Sequence, residues 1–134
     1  MNNGAFDGAN LSSAQKELRG FYIKLLNIVK NNEALSQGEF YELMIANEHQ
    51  PGFDTMLYIY LRYTANQKVL VIANFNRAER AINIQLPVEL LAQFSLSGAA
   101  VFTDMLTGAT FNTIDVAAGI PVVIGACNAL MLTL

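Results

Sequence analysis

The sequence predicts a mainly β fold, an antiparallel Greek-key β-sandwich of seven to eight strands preceded by one amphipathic N-terminal helix. Hydrophobic residues make up 53% of the 134 residues and charged residues only 14%, so the chain can build a sizeable core. One segment near the N-terminus has helical spacing of its apolar residues. The short apolar runs that follow are bounded by Gly, Asn or Pro, as is typical of antiparallel sandwiches and barrels.

The helix is predicted to begin after Ser12. Ser12 is the expected N-cap, and Gln15 three residues later completes a capping box. Asn31 and Asn32 favour the end of the helix. Between these ends, apolar residues recur at helical spacing and form one stripe, and no second helix is predicted that could cover it. The stripe consists of Leu18, Phe21, Tyr22, Leu25, Leu26 and Val29.

Strands are first predicted in two runs of alternating residues. The run "GEFYELMIAN" places Tyr41, Leu43 and Ile45 on one face. The run "MLYIYLRYT" alternates in the same way. Its inward positions are Leu57, Ile59 and Leu61, and its outward positions are Tyr58, Tyr60 and Arg62.

The later runs complete the predicted sandwich. The run "KVLVIANFN" is almost entirely apolar, which predicts a central strand covered on both faces. The run "RAINIQLP" alternates until Pro87 stops it, and "VELLAQF" is a short turn of ambiguous type. The remaining strands are predicted in "AAVFTDMLTG", "TFNTIDV", "IPVVIG" and "CNALMLTL".

Composition excludes several classes of function. The formal net charge of −3 argues against nucleic-acid binding, which needs clustered Lys and Arg. No apolar run reaches the roughly 18 to 20 residues that span a bilayer. With one His and one Cys, no metal site and no cofactor is predicted. Cys127, in an apolar run, is predicted to be a buried structural thiol.

No catalytic residues are predicted in this chain. His49 stands beside Glu48 but is interpreted as an ordinary loop histidine. The carboxylates are scattered through loops and strand ends, and nothing holds two of them across a cleft as a glycosidase requires. They include Asp7, Asp54, Asp104 and Asp115. Asp104 is predicted to hold a turn by accepting hydrogen bonds from nearby amides.

Carbohydrate binding has one candidate platform. Tyr58 and Tyr60 point outward together, with Phe40 or Phe53 as a further ring, and sugars stack on aromatic faces. The chain has no Trp, the most effective stacking residue. Outward tyrosines are also common on a face that a neighbouring domain covers. Packing is therefore the favoured interpretation of the pair.

The order of four motifs resembles the C-terminal region of the α-amylase family of glycoside hydrolases. The segment "LRGFYIKLL" is similar to the pattern of the last barrel helix in that family, and "GEF" to the end of the passage after it. "LRYTANQKVLVIANF" and "DMLTG" are similar to signatures of the β-sandwich that follows. These motifs occupy residues 18–26, 38–40, 61–75 and 104–108.

The resemblance implies a division of the chain and a parent enzyme. Residues 1–34 are expected to form the loop and helix that end a (β/α)₈ catalytic barrel, and residues 35–134 the all-β C-terminal domain. The family's catalytic carboxylates lie on barrel strand ends, and no position here matches their motifs. A periplasmic or extracellular location of the parent is compatible with the resemblance.

Three functions follow as hypotheses. The first is a structural, non-catalytic domain that packs against the barrel of an enzyme acting on α-glucans and stabilises it. Its expected interface, with the barrel or with a second copy in a homodimer, consists of Leu18, Phe21, Tyr22, Leu25 and Val29. The second is an α-glucan-binding module that uses Tyr58 and Tyr60. The third is an adaptor that docks on a partner through the amphipathic helix.

Overall fold

The computed structural model describes residues 8–134, and these residues form an antiparallel β-sandwich preceded by a long helix, as predicted. The eight strands are β1 Glu39–Glu42, β2 Leu57–Tyr63, β3 Lys68–Asn74, β4 Arg80–Ile84, β5 Ala100–Asp104, β6 Thr110–Thr113, β7 Ile120–Ile124 and β8 Asn128–Thr133. The helices are α1 Ser13–Asn31, α2 Glu33–Gln37, α3 Met44–Asn47 and α4 Val88–Phe94, with a 3₁₀ turn at Val116–Ala118. Asp7, one of the scattered carboxylates, lies outside the described residues.

The long helix α1 begins as the sequence predicts. The Ser12 hydroxyl accepts a hydrogen bond from the Gln15 backbone, and the Gln15 side chain accepts one from the Ser12 backbone. The helix ends at Asn31, and Asn32 then serves as N-cap of α2 by accepting a bond from the Leu35 backbone. The predicted capping box and helix end are both confirmed.

The strands form two sheets around one core. The large sheet has the order β1-β2-β3-β8-β5-β6, and β4 pairs with β7 in the small sheet. All pairs are antiparallel, and the last strand of the chain lies between β3 and β5. The core between the sheets takes its largest fully buried side chains from both. They include Ile59, Leu70, Ile72, Ile84, Ile120, Ile124 and Leu132.

Strand β3 is covered on both faces, as its apolar run predicts. Leu70 and Ile72 belong to the core between the sheets. Val69 and Val71 alternate with them and point to the outer face of the large sheet, where they join a second apolar cluster with Ala34. A second cluster on the outside of a sandwich requires an element that covers it, and helices α1 and α2 partly do so.

The predicted strand over "GEFYELMIAN" is wrong beyond Glu42. Strand β1 stops there, α3 follows, and Ile45 is exposed rather than inward. The buried Asn47 side chain causes the turn, because its amide donates to the carbonyls of Leu43 and Gln85 and its oxygen accepts from the Gln85 backbone. Two of these bonds reach Gln85, 38 residues away, and together the three bonds pair the amide and the oxygen of the buried Asn47 side chain.

Two other sequence-based interpretations change in the structure. Cys127 is exposed and not buried, because it occupies the turn before β8 with a φ of 47° and its backbone amide donates to Asn76. The segment "VELLAQF", left as a turn of ambiguous type, is helix α4, which begins after Pro87 and buries Leu90 against the core. Pro87 fits there, since a proline at a helix start loses no hydrogen bond.

Asp54 joins two loops at one end of the sandwich. Its carboxylate accepts from the Met56 backbone at 2.8 Å, from the Arg80 guanidinium at 2.7 and 3.2 Å, and from the Asn76 amide at 3.1 Å. The Met56 backbone bond, followed by the bond from Arg80, lowers the pKa of Asp54 below its ordinary value of 3.8. The ionised form is therefore favoured in the folded chain.

We expect this carboxylate to make stability depend on acid pH. The pKa of Asp54 is lower in the folded state than in the unfolded state. The contribution of Asp54 to the free energy of unfolding is therefore complete above pH 3.8, and it is lost as the pH falls through the pKa of the folded state. The urea midpoint of the wild-type chain should therefore fall more steeply below that pH than the midpoint of Asp54→Asn. Equal slopes for the two chains would contradict the assignment.

Candidate functional site

The outer face of the large sheet presents an apolar surface built from neighbouring strands. Tyr58 and Tyr60 on β2 point to this face, and their partners on β3 and β8 are apolar. The two adjacent rows across the sheet are Tyr60–Val71–Met131 and Tyr58–Ala73–Ala129. The small side chains of Ala73 and Ala129 in the second row leave space above the sheet. These two residues form the floor of a groove.

Three aromatic rings form one wall of the groove. Phe40 on β1 lies 5.4 Å from Tyr60 between ring centres, and Tyr60 lies 5.4 Å from Tyr58. Burial raises the pKa of the Tyr60 phenol above 10.0, against a smaller lowering by Arg62. Phe53, which the sequence offered as a further ring, instead packs against the core between the sheets. The structure thus joins Phe40, and not Phe53, to the tyrosine pair.

Helix α1 forms the opposite wall. Leu25 and Ile28 are half-buried against the outer cluster of the sheet, and Phe21 and Val29 line the groove. Leu18 and Tyr22 stay exposed on the helix. No residue of α1 is buried. The predicted stripe is therefore only partly covered, with its C-terminal half turned toward the sheet.

Polar contacts hold the helices in this position. The Gln67 side chain, in the β2–β3 hairpin, accepts from the backbone amides of Glu33 and Ala34 at the start of α2. Arg62 donates to the carbonyls of Ala34 and Leu35. The Lys24 ammonium donates to the Leu106 carbonyl in the β5–β6 turn. Sequence reasoning missed these contacts, because nothing local pairs Gln67 or Arg62 with a helix.

The groove between α1 and the sheet has a volume of about 700 Å³ and an almost entirely apolar lining. Large side chains on its border remain open to solvent: Phe40 is 50% exposed, Tyr58 40% and Phe75 63%. Phe75 follows β3 in "NFN", and its place on the border was not predicted. Contiguous exposed apolar surface of this kind marks an interaction site.

Within residues 8–134, no three side chains of the ligating types could hold a metal ion together. The same residues contain no helix that is long and apolar enough to cross a membrane. His49 lies in the loop after α3 with an exposed ring, 3.4 Å from Glu48. Asp104 is fully buried and holds the β5–β6 turn, as predicted.

Sequence comparison identifies the sandwich. The family profile described as the cyclo-malto-dextrinase C-terminal domain matches residues 53–124, from the loop before β2 to the end of β7. This chain belongs to that family. The match confirms the sequence-based resemblance to the C-terminal domain of α-amylase family glycoside hydrolases. None of the curated proteins compared with the chain is significantly similar to it.

Solved structures show that the family domain shares its fold with parts of larger amylases. AmyP in complex with maltose aligns with a TM-score of 0.73 and 17% identity over 96% of this chain. An Anoxybacillus α-amylase aligns over 88% of the chain with a TM-score of 0.66 and 13% identity. The α-amylase of Geobacillus thermoleovorans, complexed with acarbose, aligns over 77% with a TM-score of 0.56 and 10% identity. The chain spans 23%, 22% and 19% of their respective lengths.

Proposed function

We propose that this chain is the non-catalytic C-terminal part of an α-amylase-like glycoside hydrolase acting on α-glucans, and that it packs against and stabilises the catalytic barrel. In this proposal residues 1–34 end the barrel and residues 35–134 form the C-terminal domain. The observation that carries the proposal is the half-covered apolar groove between α1 and the large sheet. Family membership of the sandwich and its small share of the matched amylases support it.

The exposed part of the helix gives the proposal its geometry. Leu18, Phe21 and Tyr22 are each about half exposed, while Leu25 and Val29 turn toward the sheet. In this proposal the helix packs one half of its apolar stripe against the large sheet and the other half against the catalytic barrel. The sheet side supplies Phe40, Tyr58 and Phe75 for the same partner. Burying such side chains fully contributes about 1.5 to 3 kcal/mol each.

Binding to the preceding part of the parent enzyme tests the proposal. That part is expressed separately, and its affinity for the 134-residue chain is measured by calorimetry. We expect a stoichiometric complex with a negative heat-capacity change, the signature of apolar burial. No binding would contradict the proposal and favour an adaptor that docks elsewhere. A homodimer that forms through the groove and persists after the barrel portion is added would also contradict the proposal.

A second candidate function is α-glucan binding on the aromatic row. The observation that favours it is the spacing of Phe40, Tyr60 and Tyr58, which share one wall with ring centres 5.4 Å apart. In this case Tyr58→Ala and Tyr60→Ala together should abolish affinity for maltoheptaose. The half-burial of Tyr60 under the neighbouring rings favours packing instead.

A further inference from the structure

Basic residues are concentrated in helix α1. The helix contains four of the eight Lys and Arg residues of the chain and only one of its eleven Asp and Glu residues. Residues 32–134 contain the other four basic residues and nine acidic ones. The helix and the sandwich therefore carry formal charges of opposite sign. The basic residues of α1 are Lys16, Arg19, Lys24 and Lys30.

Three of these cations lie on one face of α1. At 3.6 residues per turn, Lys16, Arg19 and Lys30 fall within about 60° of one another around the helix axis. Leu25 and Ile28, which are half-buried against the large sheet, lie on the opposite side of the helix. The three cations therefore point away from the sheet, and together they form the basic face of α1.

The described part of the chain does not compensate the basic face. Lys16 and Arg19 are neighbours three positions apart on the helix, where like charges repel each other. Lys16 is the fourth residue of α1, and the first turn contains no acidic residue, although the N-terminal end of a helix favours negative charge. Among residues 8–134, no carboxylate forms an ion pair with Lys16, Arg19 or Lys30. An acidic partner would remove this electrostatic cost.

Exposed apolar residues join the basic face to the groove. Around the helix axis, Leu26 and then Tyr22 lie between Arg19 and the groove residue Val29. Leu26 lines the groove as well and is 64% exposed, and Tyr22 is 53% exposed. A partner that covers this apolar surface therefore comes within reach of Arg19 too.

We propose that the barrel surface which covers the groove is acidic, and that its carboxylates pair with Lys16 and Arg19. The choice of the barrel as partner rests on the proposed function, whereas the acidic character follows from the basic face. The planar guanidinium of Arg19 binds a carboxylate through two parallel hydrogen bonds, and Lys16 adds a second positive charge one turn away. Apolar contacts then hold the complex, and the ion pairs at its border fix the orientation of the two domains.

Calorimetry of the 134-residue chain with the barrel portion at two salt concentrations tests the proposal. The Debye length falls from about 10 Å in 0.1 M NaCl to about 3 Å in 1 M NaCl, so exposed ion pairs are screened. We expect the wild-type affinity to fall about tenfold over this range. Lys16→Gln combined with Arg19→Gln should weaken binding about tenfold in 0.1 M NaCl and remove most of the salt dependence.

Lys68→Gln is the matched control for the loss of one positive charge. Lys68 lies on the other side of β3 from the groove residue Val71, where it lines a cleft with Tyr63 and Phe94. Its replacement should change barrel affinity by less than a factor of two, whereas Lys16→Gln alone should weaken binding about threefold. Equal losses for the two single variants would mean that net charge, and not the basic face, attracts the barrel, and would overturn the proposal.

Urea unfolding of the chain alone shows whether the double variant is folded. Lys16 and Arg19 are exposed, and Gln suits a helix about as well as Lys or Arg does. The urea midpoint of Lys16→Gln combined with Arg19→Gln should therefore not be lower than that of the wild type. A lower midpoint would show that the two charges are already compensated within the chain, and the proposal would be overturned.

The remaining outcomes separate this proposal from the proposed function. A complex whose affinity changes neither with salt nor in the double variant would preserve barrel docking and overturn the acidic surface. No complex at either salt concentration would overturn both. Vesicles of phosphatidylserine and phosphatidylcholine in equal parts provide the last test. Binding of the chain to these vesicles that is lost in the double variant would assign the basic face to an anionic lipid surface and overturn the proposal.

Discussion

Asp104→Ala is expected to lower the free energy of unfolding by about 3 kcal/mol, since a hydrogen bond to a charged group contributes about 1.5 to 3 kcal/mol and several are lost together. The Asp104 carboxylate is 0% exposed. It accepts from the Thr107 hydroxyl at 2.6 Å, from the backbone amides of Leu106 and Thr107, and from the Met131 amide at 2.9 Å. Alanine would leave the buried Met131 amide without this partner.

The position of Asp104 in the topology explains the size of this effect. The Met131 amide belongs to β8, the last strand, which lies between β3 and β5. Only two residue pairs, Thr103 with Thr133 and Asp104 with Leu132, join β5 to β8 in register. The carboxylate therefore reinforces a short connection on which the sheet order depends. Equilibrium urea unfolding of both chains measures the loss.

Asp115→Ala provides the control for this prediction. Asp115 also accepts backbone bonds, from Ala117 in its own turn and from Gly98 in the loop before β5, but it joins no strand pair and both bonds are exposed. Its replacement should cost about 1 kcal/mol, the usual value of a lost cap. Equal losses for the two variants would show that Asp104 acts only within its own turn.

Phe40→Ser combined with Phe75→Ser is expected to weaken binding to the catalytic barrel about 30-fold. The rings are 50% and 63% exposed in the chain alone, so docking has roughly half of each left to bury. Half of the burial energy of a large apolar side chain is about 1 kcal/mol, and 1.4 kcal/mol corresponds to a factor of ten. Titration calorimetry with the separately expressed barrel portion measures the change.

Ile114→Ser is the matched control for the groove. Ile114 is 92% exposed, follows β6 and does not line the groove, so its replacement removes apolar surface of another face. Barrel affinity should then stay within about a factor of two of the wild type. A loss equal to that of the double variant would mean that general surface hydrophobicity, and not this groove, holds the domains together.

Local patterns predicted most elements because their causes are local. Ser12 and Gln15 satisfy the first amides of α1 within one turn of helix, whatever the rest of the chain does. The alternation from Leu57 to Leu61 puts successive side chains on opposite faces of β2 in any sheet. The unbroken apolar run from Val69 to Ala73 in β3 indicated two covered faces, and the outer cluster at Val69 and Val71 confirms this.

The errors share a different cause. Alternation from Tyr41 to Ile45 predicted a continuing strand, but bonds between Asn47 and Gln85, 38 residues away, end it at Glu42. Cys127 lies in an apolar segment, yet the turn that carries the chain from β7 to β8 exposes it. The partners at these two places, Gln85 for Asn47 and Asn76 for Cys127, lie far away along the chain. A pattern of neighbouring residues therefore cannot predict these contacts.

The amino-acid sequence by itself determined the helix, the strand alternation, the turn at Asp104 and the resemblance to an amylase C-terminal domain. Only the tertiary structure decided which rings meet, because Phe40 joins the tyrosines through the pairing of β1 with β2. It also decided that Gln67 and Arg62 position the helices, and that Tyr63 and Phe94 share a cleft. Contacts between distant segments depend on how sheets and helices pack, whereas caps, turns and alternation depend on residues a few positions apart.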